Sequence, residues 1–439
     1  MTALFAPDAA PLGHPYWWDG IDWPELNDPP PVKVDLLVIG AGYTGLSAAI
    51  AAHDAGASVA VIDAGQPGKG ASTRNGGMVG AHPRLGWDAL AKTYGEDTAD
   101  AIFAEAGPSL EWLRSLIERE GIDCDLQDTG RIQLAYTRSH FKAREALAGI
   151  VREKSRLRCE VVTREGLSNE IVTPLYHGGI VLPDHAAFQP AKFHLGLLEA
   201  VLRRGISVTG DCPATAHGRT GEAHIVSTPK NQIEASQIVL ATNGYTGSPF
   251  RWFARRVFAL PSYLIATEPL SANLIGELAP GRRMMVETRA RHSYYRVSPD
   301  GTRILFGGRA AMVPVGLETA ARRLRQTMSE IWPVLSDVKL THVWTGNTGY
   351  SFGHMPNVGE KDGIHYALGY SGSGTVMAPY LGAKAAYRAL GDPRGETAYA
   401  RTALTPRWYH FGGTPHFLRP ADLWYRNWVD PRENREARR

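Results

Sequence analysis

The stretch from residue 34 to residue 63 constrains this chain more than any other. Val34-Asp35-Leu36-Leu37-Val38-Ile39 is short, apolar and rich in β-branched residues, and Gly40 ends it, as in a buried strand. Gly40-Ala41-Gly42-Tyr43-Thr44-Gly45 follows, then an alanine-rich helical stretch over residues 46–55 that Gly56 can stop. Val59-Ala60-Val61-Ile62 reads as a second strand, ended by Asp63. Together these make a βαβ unit, the start of a doubly wound sheet. Gly40 makes the tight turn, Gly42 lets the backbone approach a pyrophosphate, and Gly45 lets the helix pack on the sheet. The N-terminus of the helix that follows Tyr43 and Thr44 offers N–H groups and partial positive charge to phosphates. Asp63 stands 18 residues after Gly45, where an acid reaches ribose hydroxyls.

That motif does not separate NAD from FAD. Other segments favour FAD. Gly68-Lys69-Gly70-Ala71-Ser72-Thr73-Arg74-Asn75-Gly76-Gly77-Met78 is a polar, glycine-rich loop close behind Asp63, suited to a cofactor that continues past the ribose to a flavin ring. Ile238-Val239-Leu240-Ala241-Thr242-Asn243-Gly244-Tyr245 is a buried strand running into a small-residue turn. Tyr366-Ala367-Leu368-Gly369-Tyr370-Ser371-Gly372-Ser373-Gly374-Thr375 is a strand leading through glycines into a helix. Donors at such a turn can meet the ring edge that becomes anionic on reduction.

Elsewhere the pattern predicts helices over 90–120, with a break near Gly107-Pro108, and over 141–156, 190–204, 316–332 and 374–390. Strands are expected over 131–136, 178–182, 263–268, 292–297, 303–308, 343–350 and 364–368, with several short ones between 206 and 240. Nucleotide-fold signals at 34–80, 180–245 and 364–390 are interrupted by strand-rich antiparallel ones. The expected fold is therefore α/β with α+β: a Rossmann-like FAD-binding domain interleaved with a substrate domain built on an antiparallel sheet. The cofactor domain takes residues 1–87 (with an N-terminal arm), 177–250 and 345–393. The substrate domain takes 88–176 and 251–344, and 394–439 form a C-terminal extension.

Composition excludes several classes. Lys+Arg of 47 against Asp+Glu of 44 leaves a net charge of +3 on 439 residues, giving no reason to expect nucleic acid as a partner. Cys124, Cys159 and Cys212 are far apart and in no metal-ligand spacing, which points to a reducing, cytoplasmic setting without structural zinc. No apolar run approaches the roughly 20 residues of a membrane span. Tyr16-Trp17-Trp18 reads as an aromatic anchor of a surface-packed arm, not a signal peptide, and the charged tail 431–439 as a solvated end.

At these residues the sequence resembles the D-amino-acid oxidase superfamily of FAD enzymes, in its glycine and sarcosine oxidase branch, and within it γ-glutamylputrescine oxidases. The resemblance covers residues 16–392. It rests on Tyr16-Trp17-Trp18, residues 40–47, Gly70-Ala71-Ser72 with Arg74-Asn75-Gly76-Gly77, and residues 266–270. It rests also on Tyr294-Tyr295-Arg296, residues 304–308, Trp344-Thr345-Gly346-Asn347 and the 369–375 turn. It implies FAD and an amine or amino-acid substrate. Departures are informative. Residues 345–353 contain no cysteine, so the thioether attachment of FAD in sarcosine oxidases is excluded there and FAD is expected to bind non-covalently. Strand 304–308 has no oxygen-activating lysine; Leu305 or a neighbour stands in its place. Asn347 and Thr348 occupy the position of the carboxylate-clamping arginine of glycine oxidases.

Substrate-binding candidates cluster at 289–309, where Arg289, Arg291, Arg296, Arg303 and Arg309 lie. Alternation puts His292, Tyr294 and Arg296 on one face and Arg291, Ser293 and Tyr295 on the other. Arg309 corresponds in the resemblance to a substrate-contacting histidine of sarcosine oxidases. Its fork suits a carboxylate. Arg309, Tyr294, Tyr295 and Arg296 are the catalytic candidates; His82 and Met78 are expected near the ring, and His354 as a turn residue. The expected chemistry is hydride transfer from the carbon beside an amine nitrogen to flavin N5, imine hydrolysis, and O2 as acceptor, giving H2O2. A dehydrogenase using another acceptor and a non-catalytic flavin protein remain open. So does the substrate, an acidic amine such as iminodiacetate or a γ-glutamylated diamine.

Overall fold

A computed structural model describes residues 4–438. Two sheets organise it. The first runs in the order Asn357–Lys361, Ile364–Leu368, Gln232–Leu240, Lys33–Ile39, Val59–Ile62, Ser207–Thr209, and a hairpin of Ala216–Thr220 and Ala223–Ser227 continues from Gln232–Leu240. Lys33–Ile39 pairs in parallel with strands on both sides, as a βαβ start requires. Its alternate residues face opposite ways: Leu36 and Val38 join the core under helix Tyr43–Asp54, and Leu37 and Ile39 join Phe250 and Phe253 behind. Helix Gly374–Ala389 lies against helix Tyr43–Asp54 so closely that a Cβ at Gly382 would sit 2.2 Å from the carbonyl oxygen of Thr44.

The second sheet runs Leu340–Ser351, Val257–Thr267, Ile304–Gly308, Ser293–Val297, Met284–Glu287, Arg131–Leu134, Gly178–Leu182, Glu160–Thr163. It is antiparallel except where Met284–Glu287 meets Arg131–Leu134. Helix Leu317–Ile331 covers its rear face, burying Leu324, Met328 and Ile331 against Ile265, Tyr295 and Phe306. Each such side chain contributes ~1.5–3 kcal/mol relative to exposure. The other face looks towards the cofactor lobe.

Several expectations need correction. Strand Gly178–Leu182 joins the second sheet, so the boundary expected at 177 falls later in the chain. An apolar run of this length reads the same in either sheet. The helical stretch after residue 87 breaks at Gly95 and Glu105, and Gly107-Pro108 falls inside the first turn of helix Ala106–Glu120. A first-turn proline removes an N–H that has no helical acceptor anyway. Strand Leu340–Ser351 carries on through the expected boundary at 344. The tail is not solvated along its length. Helix Asp430–Ala437 docks on the substrate lobe: Asp430 accepts from Arg291, Glu433 from the Ala290 amide, and Asn434 Oδ1 from the Tyr136 hydroxyl at 2.7 Å. Arg439, its last residue, lies outside the described residues. No helix among the described residues is long and apolar enough to cross a membrane.

Candidate active site

A cavity of about 1430 Å³ runs between the two sheets. At one end it is made of backbone. Gly40 adopts φ +109°, open to glycine and strained for other residues, and its N–H donates to Ile62 O at 2.8 Å. A Cβ at Gly45 would lie 1.8 Å from Gly40 O, so helix and turn can meet only at glycine. Asp63 ends strand Val59–Ile62 and accepts the amides of Ala41 at 2.7 Å and Gly65 at 3.0 Å, while burial raises its pKa. The Tyr43 amide donates to Ser72 Oγ at 3.0 Å, tying the helix start to the following loop. Side-chain-free turn, helix N-terminus and terminal carboxylate form a donor and acceptor series that fits a dinucleotide.

The loop of residues 71–78 is held by three indoles: Trp17 and Trp18, expected as anchors of the arm, and Trp344, expected at the cofactor. Trp17 Nε1 donates to Asn75 O at 2.7 Å, Trp18 Nε1 to Thr73 Oγ1 at 2.9 Å and Trp344 Nε1 to Arg74 O at 2.9 Å. Asn75 braces the loop from within, donating to Ser72 O at 2.7 Å and accepting the Gly77 amide at 2.8 Å. Thr375 Oγ1, at the start of helix Gly374–Ala389, donates to Met78 O at 2.6 Å and brings the late glycine turn against the same loop.

Of the cofactor candidates, Gly40, Gly42, Tyr43, Thr44, Asp63, Ala71, Ser72, Arg74, Asn75, Gly76, Met78, Thr242, Asn243, Gly346, Gly372, Ser373, Gly374 and Thr375 line the cavity. Gly45, Gly77, Gly244 and Trp344 do not; they support it from behind. Tyr294 and Arg309 line the other end. Tyr294 is wedged between Gly76 and Gly307 and shares a hydrogen bond of 2.8 Å with Ser262 Oγ; burial pushes its pKa up to about 12. Arg309 donates to the Tyr350 hydroxyl at 2.7 Å, and no carboxylate among the described residues lies within ion-pair distance of it.

Two catalytic candidates lie elsewhere. Tyr295 points to the rear core, its ring 5.2 Å from Phe306 and its hydroxyl 2.9 Å from that of Tyr176. Arg296 is buried and donates to Phe188 O at 2.9 Å and Gly77 O at 3.3 Å, so it holds the 71–78 loop and does not reach the cavity. The remaining arginines are also committed: Arg289 to Glu287 and Glu330, Arg291 to Asp430, and Arg303 to Thr267 O.

Sequence reasoning missed Arg84, Arg131, Gln133, Arg144 and, from the C-terminal extension, Arg407, Tyr409 and Tyr425, all of which line the cavity. Arg131 and Gln133 did leave a signal: polar residues alternate with apolar ones in Arg131–Leu134, so one face of that strand had to look into something other than core. The acids lining the cavity are Asp63, at the cofactor end, and Glu287, already paired with Arg289 at 2.8 Å. Burial, reinforced by Arg309 and Arg84, holds His292 well below its ordinary pKa. The substrate end is therefore positive through guanidiniums, with a neutral imidazole among them.

Residues 35–388 match the DAO family, described as FAD dependent oxidoreductase. The chain is 31% identical over 367 residues to a probable oxidoreductase OrdL of Rhizobium meliloti (strain 1021), covering 82% of this chain and 83% of that protein. It is 29% identical to the γ-glutamylputrescine oxidoreductase of Escherichia coli (strain K12), over 85% and 88% of the two chains. Among solved structures, glycine oxidase from Geobacillus kaustophilus aligns with a TM-score of 0.70 at 18% identity, over 86% of this chain and 100% of that one. Iminodiacetate oxidase from Chelativorans sp. BNC1 aligns with a TM-score of 0.66 at 17% identity, over 85% and 100%. The glycine turn that excludes side chains lies inside the matched span, and this chain belongs to the DAO family of FAD-dependent oxidoreductases.

Proposed function

We propose that the protein is an oxidase of acidic amines: N-substituted amino acids, or amines that carry a carboxylate, oxidised at the carbon beside the nitrogen. The observation that carries this reading is Arg309, a cavity-lining guanidinium anchored on Tyr350 with no carboxylate of the chain against it. A substrate carboxylate would complete it, and a charge-assisted bond of this kind contributes ~1.5–3 kcal/mol.

The Gly40–Gly45 turn, Asp63 and the 71–78 loop would hold FAD, which would supply the acceptor for a hydride from the carbon beside the amine nitrogen. The chain's own part is positioning and electrostatics. Arg309 holds the acid; Tyr294, fixed by Ser262 and packed against Gly76, supplies a rigid wall beside the cofactor loop. His292 stays neutral, adding no charge that would repel an incoming amine. The neutral amine is the reactive form, since its lone pair assists departure of the hydride, and the resulting imine is hydrolysed by water. Molecular oxygen is the proposed acceptor. A dehydrogenase that passes electrons to a carrier is favoured by one feature, the absence of lysine from strand Ile304–Gly308. Cys124, Cys159 and Cys212 are buried and unpaired, which suits a cytoplasmic setting.

Anaerobic mixing with a panel of amines tests the reading through loss of the visible flavin absorbance. Acidic amines should bleach it and simple alkylamines should not; bleaching by alkylamines alone would contradict it. Stoichiometric H2O2 on readmitting air would support the oxidase, and its absence with bleaching intact the dehydrogenase.

A further inference from the structure

The substrate end of the cavity holds a second positive group, on different elements from Arg309. Arg131 and Gln133 project from strand Arg131–Leu134, Arg144 from helix Arg138–Lys154, and His82 from the segment after the cofactor loop. Arg131 Nη2 lies 2.7 Å from His82 Nδ1, Gln133 Nε2 lies 2.7 Å from His82 Nε2, and Arg144 Nη1 donates to Gln133 Oε1 at 2.7 Å. This set is short of acceptors. Burial holds His82 well below its ordinary pKa, so the ring is neutral and offers one lone pair, yet donors face both its nitrogens. The Nε atoms of Arg131 and Arg144 are also shielded from solvent without a partner. Neither guanidinium has a carboxylate within ion-pair distance among the described residues, whereas Arg204, Arg283, Arg289 and Arg291 all do. Guanidiniums gathered away from water without a counter-charge are unfavourable unless an anion arrives.

We propose that Arg131, Arg144 and Gln133 form a distal carboxylate subsite, which receives an acidic group of the substrate remote from the oxidised C–N bond. The inference rests on the acidic-amine reading above and deepens it. The strand carrying Arg131 is three steps across the sheet from strand Ile304–Gly308, which Arg309 follows, about 14 Å between strand axes. The subsite thus selects an elongated substrate. A short amino acid would satisfy one guanidinium group and leave the other bare.

Equilibrium titration tests this on the FAD-loaded enzyme, read by calorimetry and by perturbation of the flavin spectrum. The probes are unreactive linear dicarboxylates of increasing chain length, their mono-amides, and inorganic phosphate. Wild type should prefer the best-fitting dicarboxylate over its mono-amide by about tenfold or more, and Arg144→Met should reduce that preference to within about twofold. Arg131→Met should do the same; if it does not fold, Arg144→Met decides alone. An equal preference in wild type and Arg144→Met would overturn the subsite. So would phosphate binding that depends on Arg144 where no dicarboxylate binding does, which would mark a free inorganic anion. Because these probes do not react, failure of every amine to bleach the flavin would overturn the proposed function and leave the titration to judge the subsite by itself.

Discussion

At the cofactor end of the cavity the chain presents backbone; at the substrate end it presents guanidiniums. The first is built by removing side chains: Gly40, Gly42 and Gly45 stand where a Cβ would strike Ala241, Ser72 or Gly40 itself. The second is built by adding the longest cationic side chains and withholding their acids, so that Arg84, Arg131, Arg144 and Arg309 face a space whose lining acids lie at Asp63 and Glu287. A backbone site tolerates little change and can serve chains that differ in substrate. A side-chain site can be rewritten one residue at a time, and that is where relatives in one family part company over substrate.

Mutations should separate the two ends. The largest effect is expected from Gly45→Val, because its side chain has no room against Gly40 O, 1.8 Å from the ideal Cβ. Purified variant should carry almost no flavin, read as the ratio of flavin to protein absorbance; a wild-type ratio would break the account of this end. Arg309→Met should leave that ratio unchanged and lower kcat/KM for the best acidic amine roughly 10- to 150-fold, the equivalent of ~1.5–3 kcal/mol. A change under about twofold would remove Arg309 from the site. Tyr294→Phe keeps the ring between Gly76 and Gly307 and loses only the bond to Ser262, so a fall of roughly 2- to 10-fold is expected, again with flavin retained.

The smallest effect concerns stability. Burial depresses the pKa values of His82, His185 and His292 below the usual 6.5. Above that value these rings are neutral folded or unfolded and the fold keeps its full stability. As pH falls below it, the unfolded chain binds protons first, so stability should decline towards the lower folded-state pKa values. Thermal unfolding from pH 8 to pH 5 should show Tm falling on the acid side, and His185→Gln, which leaves the cavity lining intact, should flatten the slope. A Tm that rises on acidification would contradict the neutral assignment.

The same contrast explains what could be read from the chain directly. The cofactor end is local: strand, glycine turn, helix and Asp63 lie within residues 34–63, and their order alone implies the geometry. The substrate end joins residues as distant as Arg84, Arg144, Arg309 and Tyr425, which no local pattern connects. Alternation correctly separated Tyr294 from Tyr295 onto opposite faces, but it does not say which face is core. That depends on helix Leu317–Ile331 closing over the rear of the sheet, where Tyr295 and Phe306 pack. Arg296 shares Tyr294's face yet sits too far along the strand to reach the cavity, beside Gly77 and Phe188 instead. The tail misled by composition. Its acids recur on one side of helix Asp430–Ala437, at 430, 433 and 436, and meet Arg291, the Ala290 amide and Ser139.

The central claim is that a substrate carboxylate, held by a guanidinium with no acid of its own, sets the amine in place for oxidation. The direct measurement is anaerobic flavin reduction by one N-substituted amino acid and by its carboxamide, followed as rate against concentration. The account predicts that the acid reduces the flavin with an apparent affinity and limiting rate that together exceed those of the amide roughly 10- to 150-fold, and that Arg309→Met erases the difference. Equal reduction by acid and amide in the wild-type enzyme would contradict it.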